Sequence, residues 1–231
     1  NHPSIFVWEL DNEILYINGR NDRSLVDPEF EKAAAMISQD DPTRSIMSGG
    51  GNALFSQALP VTGAHYINVP IRYYPDEAYS LELSTSGDFE RFDHPPILLN
   101  EKPLFIGEAN GRAFAPHMLP MLIQGYRWWG LGAYTEWGRM SGYRGVDDSI
   151  YRYWADVAAF AREWNQGVPA GGTVTRNVRV FNDTHYEDPV RFTWAFKVDG
   201  ETVQEGGESL DIEPGGHADL ALTLDVPEVP D

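Results

Sequence analysis

Two short apolar runs, each closed by a glutamate, constrain this chain more than any other feature. The first is Ser4-Ile5-Phe6-Val7-Trp8-Glu9-Leu10, leading through Asp11-Asn12 to Glu13. The second is Lys102-Pro103-Leu104-Phe105-Ile106-Gly107, ending on Glu108. A short apolar run bounded by polar residues reads as a strand buried on both faces, the kind found in parallel sheets. Parallel sheets carry their chemistry at the carboxyl ends of the strands, so both glutamates are predicted at the same end.

The sequence between and after these runs supplies more elements of the same kind. Asp27-Pro28-Glu29-Phe30 opens a predicted helix, with Asp27 as N-cap, Pro28 in the first turn and acids near the positive end of the dipole. Residues 44–48, 64–69 and 131–136 read as further strands, and residues 76–83 and 114–129 as helical. From Ser149 to Asn165, Ile150, Tyr153, Trp154, Val157, Ala158, Ala161 and Trp164 repeat at three and four. That spacing predicts an amphipathic helix, stopped by Gly167 and Pro169. Strand and helix alternate throughout, an α/β pattern.

Past Pro169 the texture changes. Residues 173–181, 190–198, 209–212 and 218–226 alternate apolar and polar side chains. Asn182-Asp183, Asp199-Gly200, Gly206-Gly207 and Pro214-Gly215-Gly216 read as the turns between them. Short alternating strands at this spacing predict an antiparallel sandwich, with the domain boundary between Gly167 and Gly172.

Charge and length narrow the function classes. With 17 basic against 35 acidic residues the net charge is −18, which argues against nucleic acid as a partner, because phosphate neutralisation needs clustered Lys and Arg. The chain has no cysteine, so thiolate chemistry and disulfides are excluded. No stretch approaches the ~18 apolar residues that read as a membrane-spanning helix, so no membrane partner is expected. Two carboxyls converging at the end of a parallel sheet are the minimum equipment for cleaving a glycosidic bond, one as acid and one as nucleophile or base.

The run Asn1-His2-Pro3-Ser4-Ile5, continuing through Trp8, Leu10, Asn12 and Glu13, resembles glycoside hydrolase family 2, which includes β-galactosidases, β-glucuronidases and β-mannosidases. The resemblance implies an α/β fold: residues 1–167 as strands four to eight of a partial (β/α)8 barrel, and residues 172–231 as a partial immunoglobulin-like β-sandwich. It implies Glu13 as acid/base at the tip of strand four and Glu108 as the strand-seven nucleophile. Trp137, closing Gly132-Ala133-Tyr134-Thr135-Glu136, is similar to the strand-eight tryptophan that floors the sugar site. Asn68 to Tyr74 is similar to the strand-six segment that brings a tyrosine to the nucleophile, with Tyr73 and Tyr74 as the candidates. Three positions depart from the family: Asp11 where Gly is usual, Ala109-Asn110 after the nucleophile, and Tyr-Thr-Glu-Trp on strand eight.

The implied activity is double displacement on a carbohydrate substrate with no cofactor and no metal. Glu13 is expected to rest protonated, with poor solvation and the anionic Glu108 favouring its neutral form, and Asn12 to hold the sugar 2-hydroxyl. His65 is read as a satisfied interior histidine rather than a ligand, and Gly49-Gly50-Gly51 as a flexible loop over the site. Since five strands cannot close a barrel, the chain is expected to be a segment of a longer enzyme, missing upstream barrel strands and domains, and inactive alone. A non-hydrolytic carbohydrate-binding protein on the same scaffold is the alternative, and a structural adhesion module a third.

Overall fold

A computed structural model describes residues 5–14, 19, 22–49, 58–65, 102–110, 123–124, 127–128, 130, 133–137, 152–163 and 167–228. Among these, ten strands and one continuous α-helix fall into two compact units. The segments at 66–69 and 76–83, with Tyr73 and Tyr74, lie outside the described residues.

The first unit is a parallel sheet. β1 (Val7–Glu9) pairs with β2 (Ser45–Met47), and β3 (Thr62–His65), β4 (Leu104–Asn110) and β5 (Ala133–Trp137) pair in that order, all parallel. A parallel bridge from Met47 to Val61 joins the two ladders, so the strands neighbour one another in chain order. Three strand spacings separate β1 from β4, about 14 Å in a flat sheet. Yet the ring of Phe6, just before β1, lies 6.0 Å from that of Phe105 on β4. The strands from β1 to β4 therefore do not lie in a flat sheet.

α1 (Arg23–Asp40) connects β1 to β2 and covers one face of the sheet. Val26, Phe30, Ala34 and Ile37 recur at four, four and three, and this stripe meets Trp8, Leu10, Ile46 and Leu59. Burying each large apolar side chain contributes roughly 1.5–3 kcal/mol, which makes this cluster the main attachment of helix to sheet. The helix starts five residues earlier than the sequence predicts. Asp22 is the N-cap, accepting from the Ser24 N–H at 3.0 Å and the Ser24 hydroxyl at 2.6 Å. Asp27 instead lies inside the helix, 3.4 Å from the Arg23 Nε one turn back. The expected alternation of strand and helix is described once in full, as β1–α1–β2; residues 123, 124, 127 and 128, between β4 and β5, are also helical.

Asp41 ties the end of α1 to both neighbouring strands. Its N–H donates to the Ile37 carbonyl at 2.8 Å, ending the helix. Its carboxylate accepts from the Thr43 hydroxyl at 2.6 Å, from the Trp8 indole at 3.0 Å and from the Arg44 guanidinium. Arg44 also reaches the Ile5 carbonyl, so one guanidinium fixes both the start of β1 and the approach to β2.

The second unit is antiparallel. β10 (Gly216–Asp225), β7 (Thr173–Asn182) and β6 (Val157–Ala161) form one sheet in that order, and β8 (Val190–Val198) and β9 (Glu201–Leu210) form a hairpin. Val178 and Val180 of one sheet and Val190 of the other, with Ile212, share a single core. The hairpin turns at Asp199-Gly200, both with positive φ (50° and 89°), the pairing whose twist suits a two-residue turn.

Two sequence expectations fail in this unit. Residues 152–154 form a 3₁₀ turn and residues 157–161 form β6, so no helix spans 149–165. The run Val157-Ala158-Ala159-Phe160-Ala161 satisfies a period of two as well as one of 3.6. Tertiary packing chooses between them: Phe160 is buried with its ring 5.6 Å from that of Phe181, and the backbone pairs with β7. The antiparallel sheet thus takes in residues before Gly167. Gly206-Gly207 is not a turn; it lies inside β9, where Gly206 faces Trp194 across the ladder. A Cβ at residue 206 would come within 2.8 Å of the indole, so the tryptophan occupies the glycine's missing side-chain volume.

The Asp41 cluster generates a pH prediction. Hydrogen bonds from Thr43, Trp8 and Arg44 outweigh desolvation and hold the carboxyl well below the usual carboxylate range. A depressed folded-state value stabilises the fold above the unfolded value of about 3.9 and loses that contribution as pH falls. In urea unfolding, Asp41→Asn should be less stable than the parent at pH 7, with the gap shrinking steadily below about pH 4. A gap independent of pH would rule out the charge as its source.

Candidate active site

The site is built where β1 and β2 end. Glu13 sits four residues past β1 in a left-handed backbone conformation (φ 56°), which costs a residue with a Cβ about 1–2 kcal/mol. Three contacts hold it there. The Glu13 N–H donates to the Gly49 carbonyl at 2.7 Å. The Asp11 carboxylate accepts from the Ile14 N–H at 2.9 Å with one oxygen and from the Gly49 N–H at 3.2 Å with the other. Asp11, the departure from the family pattern, thus braces the turn that presents Glu13. Sequence reasoning missed this role; an Asp two residues before a predicted functional Glu was the available signal.

Gly49 makes the approach possible. A Cβ there would fall 2.0 Å from the Glu9 carboxylate and 2.1 Å from the Asp11 carbonyl, so no other residue fits without moving the chain. It is buried and hydrogen-bonded, unlike the flexible loop the sequence suggests; Gly50 and Gly51 lie outside the described residues.

Across the sheet, Glu108 lies within β4, two residues before its end, and pairs in register with His65, the last residue of β3. The register shifts by one residue between Ala64 and His65, and again on the β5 side between Ile106 and Ala109. Both shifts give β4 an extra residue around Gly107-Glu108, a bulge of the kind that locally bends a strand. With parallel strands in register, Glu13 and Glu108 stand at the same end of the sheet.

His65, in backbone register with Glu108, contacts Glu13. Its ring, 2% exposed, places Nδ1 2.9 Å from the Oε1 of Glu13, whose side chain is 20% exposed. The interior, satisfied histidine expected from the sequence is therefore the partner of Glu13, a pairing across 52 residues that no local motif could reveal. Asn12 is exposed beside Glu13, and Trp137 ends β5, paired in register with Asn110. Among the described residues no group of three His, Asp or Glu side chains converges as a metal site would.

No protein-family model matches the chain, and no curated protein matches it. Among solved structures, the chain is similar to an FMN-binding beta-glucuronidase from Facaelibacterium prausnitzii L2-6. That match has 16% identity and a TM-score of 0.40, covering 99% of this chain and 42% of that one. It is also similar to a glycosyl hydrolase family 2 member from Bacteroides cellulosilyticus DSM 14838, at 14% identity and a TM-score of 0.40, covering 98% of this chain and 34% of that one. The chain thus spans less than half the length of either.

The bracing role of Asp11 is open to a direct test. Asp11→Ala removes an acceptor from two backbone N–H groups and should cost about 1–3 kcal/mol in urea unfolding. Asp11→Asn, which keeps one acceptor oxygen, should fall between. An unchanged unfolding midpoint for Asp11→Ala would show that the turn stands without it.

Proposed function

We propose that the protein is a retaining β-glycosidase that cleaves β-linked sugars by double displacement. The observation that supports this reading is the common placement of Glu13 and Glu108 at the carboxyl ends of parallel strands, with His65, the hydrogen-bond partner of Glu13, in backbone register with Glu108. The motif around Asn12-Glu13 and the order of the later strands carry the resemblance to glycoside hydrolase family 2, and with it the roles proposed here.

In the first step, the Glu108 carboxylate attacks the anomeric carbon and forms a glycosyl ester. The bond to the leaving oxygen breaks, and that oxygen takes the proton of Glu13. In the second step, Glu13 removes a proton from water, whose oxygen attacks the anomeric carbon and releases Glu108. Each carboxyl group ends as it began. Asn12, exposed beside Glu13, would hold the sugar 2-hydroxyl, whose hydrogen bond strengthens in the transition state. Trp137 would floor the sugar, and Tyr73 or Tyr74 would donate to Glu108. Attack by a carboxylate on the anomeric carbon requires the two carboxyl groups to stand ~5–5.5 Å apart, whereas an inverting enzyme leaves ~6.5–9.5 Å for water.

Stereochemistry and two substitutions test the scheme in the full-length protein. Proton NMR of the first-formed sugar should show the anomeric configuration of the substrate; an inverted product would eliminate double displacement. Glu108→Gln should lower turnover of every substrate by several orders of magnitude. Glu13→Gln should spare the first step for dinitrophenyl glycosides, whose leaving group needs no proton, and suppress it for alkyl glycosides about 100-fold or more. Equal losses on both substrates would remove Glu13 from the acid role.

A further inference from the structure

We infer that His65 is the positioning residue of the proposed acid, and that it acts as a hydrogen-bond donor through Nδ1 to the Oε1 of Glu13. This rests on the reading of Glu13 as the acid/base. The geometry supplies three supports. The imidazole is almost completely buried, so its orientation is set by packing. Nδ1 is 2.9 Å from Oε1, a full hydrogen bond. The ring lies against Gly107: a Cβ at that residue would be 3.0 Å from Nε2 and 3.3 Å from Cδ2. The space that admits the ring is therefore made by the residue just before Glu108, at the register shift of β4. One imidazole fits between the turn that carries the acid and the strand that carries the proposed nucleophile.

The chemical consequence follows from which oxygen is engaged. A protonated carboxyl group has one carbonyl oxygen and one hydroxyl. An N–H from Nδ1 favours Oε1 as the carbonyl oxygen and leaves the proton on Oε2. That is the oxygen free to face a leaving group. In the glycosylation step the Oε2 proton passes to the glycosidic oxygen, and the resulting carboxylate keeps the same Nδ1–H bond. In the second step Oε2 takes a proton from water. In this scheme His65 gains and loses none: it keeps its hydrogen on Nδ1, the tautomer in which the contact to Oε1 is a donated bond.

Two measurements on the full-length protein test this. Long-range nitrogen–proton NMR of imidazole-labelled protein reads the tautomer directly: His65 should carry its hydrogen on Nδ1, and should keep it there in Glu13→Gln, which retains an oxygen acceptor. Hydrogen on Nε2 with a bare Nδ1 would overturn the inference, whatever the protein's activity. Kinetics then separate positioning from mere structural support. On methyl β-glycosides of galactose, glucuronic acid or mannose, His65→Ala should lower kcat/KM about 100-fold. On the matching dinitrophenyl glycosides it should change little, and His65→Asn, which can place an amide N–H near Nδ1, should recover much of the loss. Equal losses on both substrate types, or no rescue by Asn, would make His65 structural only. If the parent protein cleaves none of these glycosides, the glycosidase reading fails, while the tautomer still decides the His65–Glu13 bond.

Discussion

The arrangement at the end of the parallel sheet depends on the contact between the turn after β1 and the end of β2 at Gly49. There the Glu13 N–H meets the Gly49 carbonyl and the Asp11 carboxylate meets the Gly49 N–H, in space that any side chain at residue 49 would fill. This contact holds Glu13 in its left-handed conformation. Without it the carboxyl group would be carried by an unsupported turn, and the hydrogen bond to His65 would have no fixed partner. The local strain of about 1–2 kcal/mol is offset by the Asp11 and Gly49 hydrogen bonds, each worth a comparable amount.

From that contact the rest of the unit follows in order. The α1 stripe of Val26, Phe30 and Ile37 fastens the helix to Trp8 and Ile46, and Asp41 locks the helix end to the same strands. The parallel register then runs from β2 through the Met47–Val61 bridge to β3 and β4, which brings His65 opposite Glu108. Burial fixes the frame, and hydrogen bonds at the strand ends aim the side chains. This division is expected where a site sits at the carboxyl end of a sheet whose interior is apolar.

Much of this frame is legible in the sequence because it is written at short range. The apolar runs at β1, β2 and β4 and the alternation in β7, β8 and β10 are local signals, and the observed strands fall on them within a few residues. What is not legible depends on partners distant in sequence. Residues 157–161 fit both a helix and a strand, and pairing with β7 decides. Gly206-Gly207 looks like a turn until Trp194 covers it from the facing strand. Asp22 and Asp27 both qualify as caps, and only the reach of Asp22 to Ser24 distinguishes them. At the site, Glu13 and Glu108 are marked by their place after apolar runs. The brace from Asp11 to Gly49 and the Glu13–His65 bond cross 38 and 52 residues and have no local signature.

The central claim, that Glu108 is the nucleophile of a double displacement, is most directly tested by trapping. An activated 2-deoxy-2-fluoro β-glycoside slows both steps, but its good leaving group lets the glycosyl ester form and persist. After incubation of the full-length protein with such reagents, peptide mass spectrometry should find one fluoroglycosyl adduct, on the peptide containing Glu108 and on that side chain. An adduct on another carboxylate, or none from a protein that turns over the parent glycoside, would contradict the assignment.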